Sequence, residues 1–225
     1  MPPAITTHQR RFDLVVFDWD GTLFDSTALI VRCIQAACAD IGVAVPSTAR
    51  AAYVIGLGLH DALQHAVPGL PEARYPELGQ RYRHHYTARQ DELVLFPGTL
   101  AMLHALKARN HLLAVATGKS RRGLDDSLHA VELQGLFDAT RTADETAGKP
   151  NPLMLQQLMA VFGVDPARTL MIGDTTHDLQ LARNAGTASV GVSYGAHDAD
   201  AFAPLAPLHV AQSTADLHTW LLQHA

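Results

Sequence analysis

Residues 13–25 read Asp13-Leu14-Val15-Val16-Phe17-Asp18-Trp19-Asp20-Gly21-Thr22-Leu23-Phe24-Asp25, a short apolar run that ends in two carboxylates and a glycine. Such a run, bounded by polar residues, predicts a strand that is buried on both faces, as in a parallel sheet. Asp18 and Asp20 would then lie at the carboxyl end of that strand, where open α/β sheets bind their ligands. Two carboxylates this close repel each other unless a cation or a proton lies between them. On this stretch alone, a binding site and an acidic turn that caps the next helix are equal alternatives.

The composition is that of an ordinary globular protein. The chain has 225 residues, of which 48% are hydrophobic and 17% charged, so it can bury a substantial core. A formal net charge of −5 gives no basic footprint, and we therefore expect no nucleic-acid partner. No apolar segment approaches the roughly 18 residues of a membrane span. Residues 1–11 lack the apolar core of a signal peptide, so we expect a frayed tail and a cytoplasmic protein without a membrane partner.

The next stretch is helical. Apolar residues recur at three- and four-residue steps from Ala28 to Ile41, and no convincing strand occurs between Phe24 and Leu93. The only cysteines, Cys33 and Cys38, share the first predicted helix without CxxC spacing, which favours free thiols. We interpret this region as a helical insert directly after the first strand. Some of its residues are candidates for substrate contact, although a polar helix face explains the last four equally well: Tyr53, Gly56, Gly58, His60, Arg81, Arg83, His84 and His85.

Strands and helices alternate in the remainder of the chain. Further strands are predicted at residues 112–116, 137–140, 169–172 and 188–192, with helices between them and a last helix at about 214–223. Short connections between alternating strands and helices imply a parallel sheet with helices on both faces, because right-handed crossovers place them there.

Polar residues follow three of these strands. Asp18 and Asp20 follow the first strand, and Thr117 and Gly118 follow the second. After the strand at 169–172 come Asp174 and Asp178. If the strands are neighbours, their ends converge, and carboxylates without soft ligands favour a hard cation, Mg²⁺ above all. Lys149, in the loop before a helix, would add a cation, and the combination suits a phosphoryl group.

Each of these residues also has a structural alternative. Asp178 could be an acid that stabilises a helix N-terminus, and Thr117 could be a helix N-cap. Lys119 follows Thr117 closely, but we expect it to be solvated. His177 lies inside the fourth cluster, and we expect a residue at the rim of the site.

With these motifs in place, the sequence resembles the haloacid dehalogenase superfamily of hydrolases over nearly its whole length, nearest to its phosphoglycolate phosphatase-like branch. Residues 18–23 look like the first motif of that family (DxDGT), Thr117 its second, Lys149 its third and residues 173–178 its fourth (GDxxxD). The resemblance implies a Rossmann-like α/β core, residues 1–24 and 93–225, with a helical cap at residues 25–92.

The resemblance also implies roles. Asp18 would be the nucleophile that forms an aspartyl-phosphate, and Asp20 the general acid and base. Thr117, the Gly118 amide and Lys149 would bind the phosphate. Mg²⁺ would be held by Asp18, the backbone carbonyl of Asp20 and Asp174, with Asp178 either as a further ligand or as a partner that holds a ligand in place. Dehalogenating members lack an aspartate at the position of Asp20, since halide leaves without a proton.

The implied function is a Mg²⁺-dependent phosphatase for a small phosphorylated metabolite, with phosphoglycolate as the first candidate, in a monomer or homodimer. A sugar phosphomutase and a pyrophosphatase are alternatives within the superfamily. A non-catalytic phosphoacceptor of the receiver type is an alternative from another class, because receivers also join acids, a hydroxyl and a lysine at strand ends.

Overall fold

A computed structural model describes residues 10–225, apart from the side chain of Asp91, so the tail predicted at the N-terminus lies largely outside the described residues. Six parallel strands form one sheet in the order β3-β2-β1-β4-β5-β6. The strands are β1 (Leu14–Phe17), β2 (Leu112–Thr117), β3 (Ala139–Thr142), β4 (Thr169–Gly173), β5 (Ala188–Val192) and β6 (Val210–Ala211). The predicted parallel α/β sheet is confirmed, with two differences. β3 begins two residues later than predicted, and β6 was not predicted, because two residues are too few to show a pattern.

Strand β1 occupies the middle of the sheet. Phe17 is in register with Val115 of β2 and with Ile172 of β4. The backbone N–H of Asp18 donates to the carbonyl of Ile172 over 2.9 Å, which continues this pairing beyond the strand. The carboxyl ends of β1, β2 and β4 therefore lie side by side, as the sequence predicts.

Helices cover both faces of the sheet. Alternate residues of β1 enter different apolar clusters: Val15 and Phe17 belong to one, and Leu14 and Val16 to the other. The helices that pack on the sheet are α5 (Thr99–Ala108), α6 (Arg121–Ala130), α7 (Leu153–Phe162), α8 (Thr176–Ala185) and α9 (Thr214–His224). The first cluster includes residues of α5, α6 and α9, and the second includes residues of α7 and α8. Burial on both faces explains why the strands are continuous apolar runs.

Four helices occupy the chain between β1 and α5. They are α1 (Thr27–Asp40), α2 (Thr48–Tyr53), α3 (Leu59–Ala66) and α4 (Tyr75–Thr87). They enclose an apolar cluster of their own, which includes Ile34, Val54 and Leu78. Cys33 and Cys38 are buried free thiols in α1, as predicted. Among residues 10–225, no helix is both long and apolar enough to cross a bilayer.

Candidate active site

A sharp turn follows β1 and brings its loop against the end of β4. Gly21 has a φ of 85°, a conformation that L-residues rarely adopt. A Cβ at Gly21 would lie 2.1 Å from Oδ2 of Asp174, so this position also has no room for a side chain. Thr22, the next residue, donates its hydroxyl hydrogen to Oδ1 of Asp174 over 3.0 Å. The loop after β1 and the loop after β4 are thus fixed to each other.

Lys149 joins two carboxylates at the centre of the site. Its Nζ lies 2.5 Å from Oδ1 of Asp18 and 2.6 Å from Oδ1 of Asp178, and all three side chains are buried. Burial by itself lowers the pKa of Lys149, but the carboxylates of Asp178 and Asp18 outweigh it and raise that pKa. The lysine is therefore a permanent cation beside Asp18.

Asp174 is the third buried carboxylate. Its Oδ2 accepts the backbone N–H of Ala196 over 2.7 Å, in addition to the Thr22 hydroxyl on Oδ1. Burial, and then the charge of Asp178, raise the pKa of Asp174 to about 7. Burial likewise raises the pKa of Asp18 well above its ordinary value, although Lys149 acts in the opposite direction. These acids are held close together at an electrostatic cost that a cation would relieve.

Asp178 has both of the roles considered from the sequence: it stabilises a helix N-terminus and it lies among the acids of the site. It lies in the first turn of α8, where its Oδ2 accepts the N–H and the hydroxyl of Thr175 in a capping box. Its other oxygen contacts Lys149. The prediction that Asp178 stabilises a helix N-terminus is therefore confirmed, and this role is compatible with its contact with Lys149.

The residues present fit a divalent cation. Carboxylate oxygens of Asp18, Asp174 and Asp178 all lie within 4.8 Å of one another. Oδ2 of Asp18 is buried and has no hydrogen-bond partner among the described residues. When all three carboxylates are ionised, one ammonium leaves a net negative charge, and an all-oxygen donor set suits a hard metal ion.

Asp20 is held by a second set of contacts. Its Oδ1 accepts the hydroxyl hydrogen of Ser26 over 2.7 Å, and its Oδ2 lies 3.1 Å from Nζ of Lys119. The expectation that Lys119 is solvated is wrong, since its side chain is only 10% exposed. The available signal was its place two residues beyond Thr117, immediately after a buried strand.

Thr117 and Gly118 end β2 beside the helical insert. The N-cap of α6 is Ser120, whose side chain accepts the N–H of Gly123, so the N-cap alternative for Thr117 is wrong. Its hydroxyl instead accepts the N–H of Lys119 over 3.2 Å. At Gly118 a Cβ would lie 2.4 Å from the carbonyl oxygen of Leu57, a close backbone approach that only glycine permits.

His177 is not the rim residue predicted from the sequence. It is 9% exposed, and its Nε2 donates to the carbonyl of Tyr53 over 2.8 Å. His197, from the loop after β5, donates from Nε2 to the same carbonyl over 2.9 Å, and its ring stacks on that of Tyr53. Burial lowers the pKa of both histidines. The two side chains connect the end of α2 to α8 and to the loop after β5, a long-range contact that no local sequence pattern predicts.

A cavity of about 1490 Å³ opens between the insert and the carboxyl edge of the sheet. Asp20, Gly118 and Lys119 line its sheet side. The candidate insert residues that line it are Gly56, Gly58, His60, Arg83 and His84. Three others do not: Tyr53 contacts the two histidines, His85 pairs with Asp40 over 2.8 Å, and Arg81 is exposed.

Residues 15–192 match the model of the haloacid dehalogenase-like hydrolase family. The chain belongs to this family. It is 36% identical over 193 residues to a probable phosphatase, IndB, of Dickeya dadantii, covering 83% of this chain and 84% of the relative. It is 33% identical to a 5'-nucleotidase of Pseudomonas aeruginosa, covering 95% and 97%. It is also 33% identical to a phosphoglycolate phosphatase of Caulobacter vibrioides, covering 84% and 83%.

A solved structure leads to the same family. The crystal structure of a predicted phosphoglycolate phosphatase from Haemophilus somnus superimposes with a TM-score of 0.84 at 28% identity, covering 94% of this chain and 98% of that one. This haloacid dehalogenase-like protein is therefore a hydrolase of the phosphatase type, similar to phosphoglycolate phosphatases. A non-catalytic receiver, considered from the sequence, is not retained.

Proposed function

We propose that this hydrolase cleaves a small phosphomonoester through an aspartyl-phosphate on Asp18. One observation carries the proposal: Asp18 is buried, its Oδ1 is paired with Lys149, and its Oδ2 has no hydrogen-bond partner among the described residues. A nucleophile needs an ionised carboxylate, which the cation of Lys149 beside Oδ1 favours, and the carboxylate has one oxygen to bind a metal and one to attack phosphorus.

The proposed reaction has two steps. Asp18 attacks phosphorus while the bond to the leaving alcohol breaks, and Asp20 donates a proton to the departing oxygen. In the second step Asp20 takes a proton from water, which attacks the aspartyl-phosphate and releases inorganic phosphate and a regenerated Asp18. Asp20 lines the cavity that the leaving group would occupy, which supports this division of roles.

We assign phosphate binding to residues at the ends of β2 and before α7. The hydroxyl of Thr117 and the amide of Gly118 would donate to phosphate oxygens, and Lys149 would offset their charge. Both Thr117 and Lys149 are buried, so few water molecules would compete for these donors.

We propose Mg²⁺ as the resident cation, held by Asp18, Asp174 and the backbone carbonyl of Asp20. Asp178 would be a further ligand or would act by holding Lys149. When bound, Mg²⁺ would neutralise charge on the transferring phosphoryl group.

We further propose that residues 25–92 form a cap and that residues 1–24 and 93–225 form the catalytic core. The separate apolar cluster of α1 to α4 supports this division. A cap over the sheet edge favours small soluble substrates and excludes bulk water. Phosphoglycolate is the first candidate, and we expect a cytoplasmic monomer or homodimer.

A panel of phosphorylated metabolites tests this function. We expect phosphate release from a small phosphomonoester in Mg²⁺, loss of that activity in EDTA and recovery when Mg²⁺ is added back. Conversion of glucose 1-phosphate to glucose 6-phosphate would instead indicate a phosphomutase, and phosphate release from pyrophosphate alone a pyrophosphatase. Full activity in chelator would contradict the metal assignment.

Asp18→Asn tests the nucleophile directly. The amide has nearly the same shape but cannot attack phosphorus, so we expect hydrolysis of p-nitrophenyl phosphate to fall by a factor on the order of 10⁴ or more. Circular dichroism would check that the variant is folded. A folded variant with near-normal turnover would remove Asp18 from this role.

A further inference from the structure

Lys119 is a buried lysine to which the proposed mechanism gives no part. It lies two residues after β2, and its ammonium group is 3.1 Å from Oδ2 of Asp20. Its second partner is the hydroxyl of Tyr86, to which Nζ donates over 2.8 Å. The same nitrogen lies 4.6 Å from the centre of the Tyr86 ring. These contacts hold Nζ in a definite place at the edge of the cavity.

The carboxylate of Asp20 is consequently fixed from two sides. Ser26 contacts Oδ1 and Lys119 approaches Oδ2, so rotation of the carboxylate would break one contact or the other. A general acid must present its oxygen to the departing atom within hydrogen-bond reach. A displacement on the order of 1 Å at such a group can cost a factor of about 10² in rate.

Tyr86 connects this arrangement to the insert. It lies at the end of α4, whereas Asp20 and Lys119 follow strands of the sheet. The tyrosine hydroxyl therefore reaches across from the helices to the lysine that holds Asp20. If α4 moved away from the sheet, Lys119 would lose the partner that fixes its ammonium group.

We propose that Lys119 is a positioning residue for Asp20, and that Tyr86 makes this positioning depend on the seating of α4 against the sheet. The inference rests on the proposed function, since it requires Asp20 to protonate the leaving group. Lys119 acts through Asp20 and is not itself assigned a contact with the reacting atoms.

Leaving-group chemistry provides the test. An alkyl phosphate releases a strongly basic alkoxide and requires a general acid, whereas 2,4-dinitrophenyl phosphate releases a stable phenolate without a proton. The quantity to measure is kcat/KM, which covers the steps up to departure of the leaving group. Three substrates are compared: ethyl phosphate, phosphoglycolate and 2,4-dinitrophenyl phosphate.

Lys119→Met removes the charge, and Tyr86→Phe removes only the hydroxyl that holds the lysine. We expect Lys119→Met to reduce kcat/KM for both alkyl phosphates by about 100-fold, with little change for the dinitrophenyl ester. Tyr86→Phe should reduce the alkyl values in the same sense by a smaller factor. Tyr82→Phe is the matched control, because Tyr82 lies one turn earlier on α4, and it should leave the alkyl-to-aryl ratio unchanged.

Three results would overturn the inference. An equal loss on all three substrates would assign Lys119 a general structural role. A loss confined to phosphoglycolate would mean that Lys119 binds the substrate carboxylate. If Lys119→Met does not fold, the ratio in Tyr86→Phe decides between the same outcomes. If the wild-type protein hydrolyses no alkyl phosphate, the proposed function is overturned, and the inference with it. If the wild type is active and the variants keep its alkyl-to-aryl ratio of kcat/KM, the inference alone is overturned.

Discussion

Two buried lysines hold the two aspartates of the first loop, and their surroundings differ. Lys149 contacts two carboxylates, Asp18 and Asp178, and all three residues lie outside the helical insert. Lys119 contacts one carboxylate, and its other partner is a tyrosine from the helical insert. The group around Lys149 is complete within the core, while the group around Lys119 is completed across the cavity.

This difference separates the chemistry of Asp18 from that of Asp20. Movement of α1 to α4 would leave Asp18, Lys149 and Asp178 in contact, so the proposed nucleophile would keep its ion pair. The ammonium group beside Asp20 keeps both of its partners only when α4 lies against the sheet. The groups that protonate the leaving group would thus be in place only when the cavity is closed and bulk water is excluded.

Lys149→Met should disrupt the group formed by Asp18, Lys149 and Asp178. We expect it to cause the largest loss of stability and activity among the lysine substitutions. Removing the ammonium leaves the carboxylates of Asp18 and Asp178 buried without their cation, which typically costs about 3–5 kcal/mol. We expect a loss of Tm and a fall in kcat/KM of at least about 10³-fold on alkyl and aryl phosphates alike.

The matched control for this variant is Lys107→Met. Lys107 pairs with Asp138 over 2.8 Å but is one-third exposed, so its removal should matter little. Differential scanning fluorimetry and steady-state kinetics measure both variants. A Lys149→Met protein that loses only alkyl phosphatase activity would erase the contrast between the two lysines.

Gly118→Ala should disturb the contact between the insert and the sheet without touching the Lys149 group. The new Cβ would lie 2.4 Å and 2.5 Å from the carbonyl oxygens of Leu57 and Gly56, which are backbone atoms and cannot yield without moving the insert. We expect kcat/KM for alkyl phosphates to fall about 10- to 100-fold.

Gly79→Ala is the control for that substitution. Gly79 lies inside α4, and a Cβ there would meet its nearest neighbour at 3.7 Å, an ordinary contact. Alanine also gains helix propensity of about 1 kcal/mol over glycine. We therefore expect this variant to be active and slightly more stable. Unimpaired kinetics in Gly118→Ala would show that the close approach of the two segments is not required for catalysis.

The sequence predicts the sheet and its acidic edge well for a physical reason. Strands buried on both faces are continuous apolar runs, and the residues that follow them must meet at one edge if the strands are neighbours. Asp18, Asp174 and Asp178 accordingly lie together although more than 150 residues separate the first two.

The rest depends on contacts between the insert and the core. Lys119 is buried because Tyr86 of α4 covers it, and His177 is buried because Tyr53 of α2 lies against it. Neither partner is near in sequence, and the orientation of a helical insert is not encoded in any local periodicity. A lysine after a strand is therefore predicted to be solvated, because the sequence does not show which helix covers it.

Mg²⁺ and pH together provide a further comparison of the two lysine groups. The pKa of Asp174 is raised to about 7, so without metal the folded protein keeps a proton that the unfolded chain releases near pH 4. That proton stabilises the metal-free fold fully below about pH 4, and its contribution is lost as pH rises through about 7. Mg²⁺ must displace it at pH 5 but not at pH 8.

The stabilisation by Mg²⁺, measured as a gain in Tm, should therefore increase from pH 5 to pH 8, and the underlying free energy should rise by up to about 1.4 kcal/mol per pH unit for each proton displaced. Comparing Mg²⁺ with EDTA at each pH cancels the titration of groups whose protonation the metal does not change. Asp174→Asn should abolish the gain, whereas Lys119→Met should retain it, because Lys119 contacts none of Asp18, Asp174 and Asp178. A gain that is independent of pH, or one that disappears in Lys119→Met, would mean that the two groups are not separate electrostatic units.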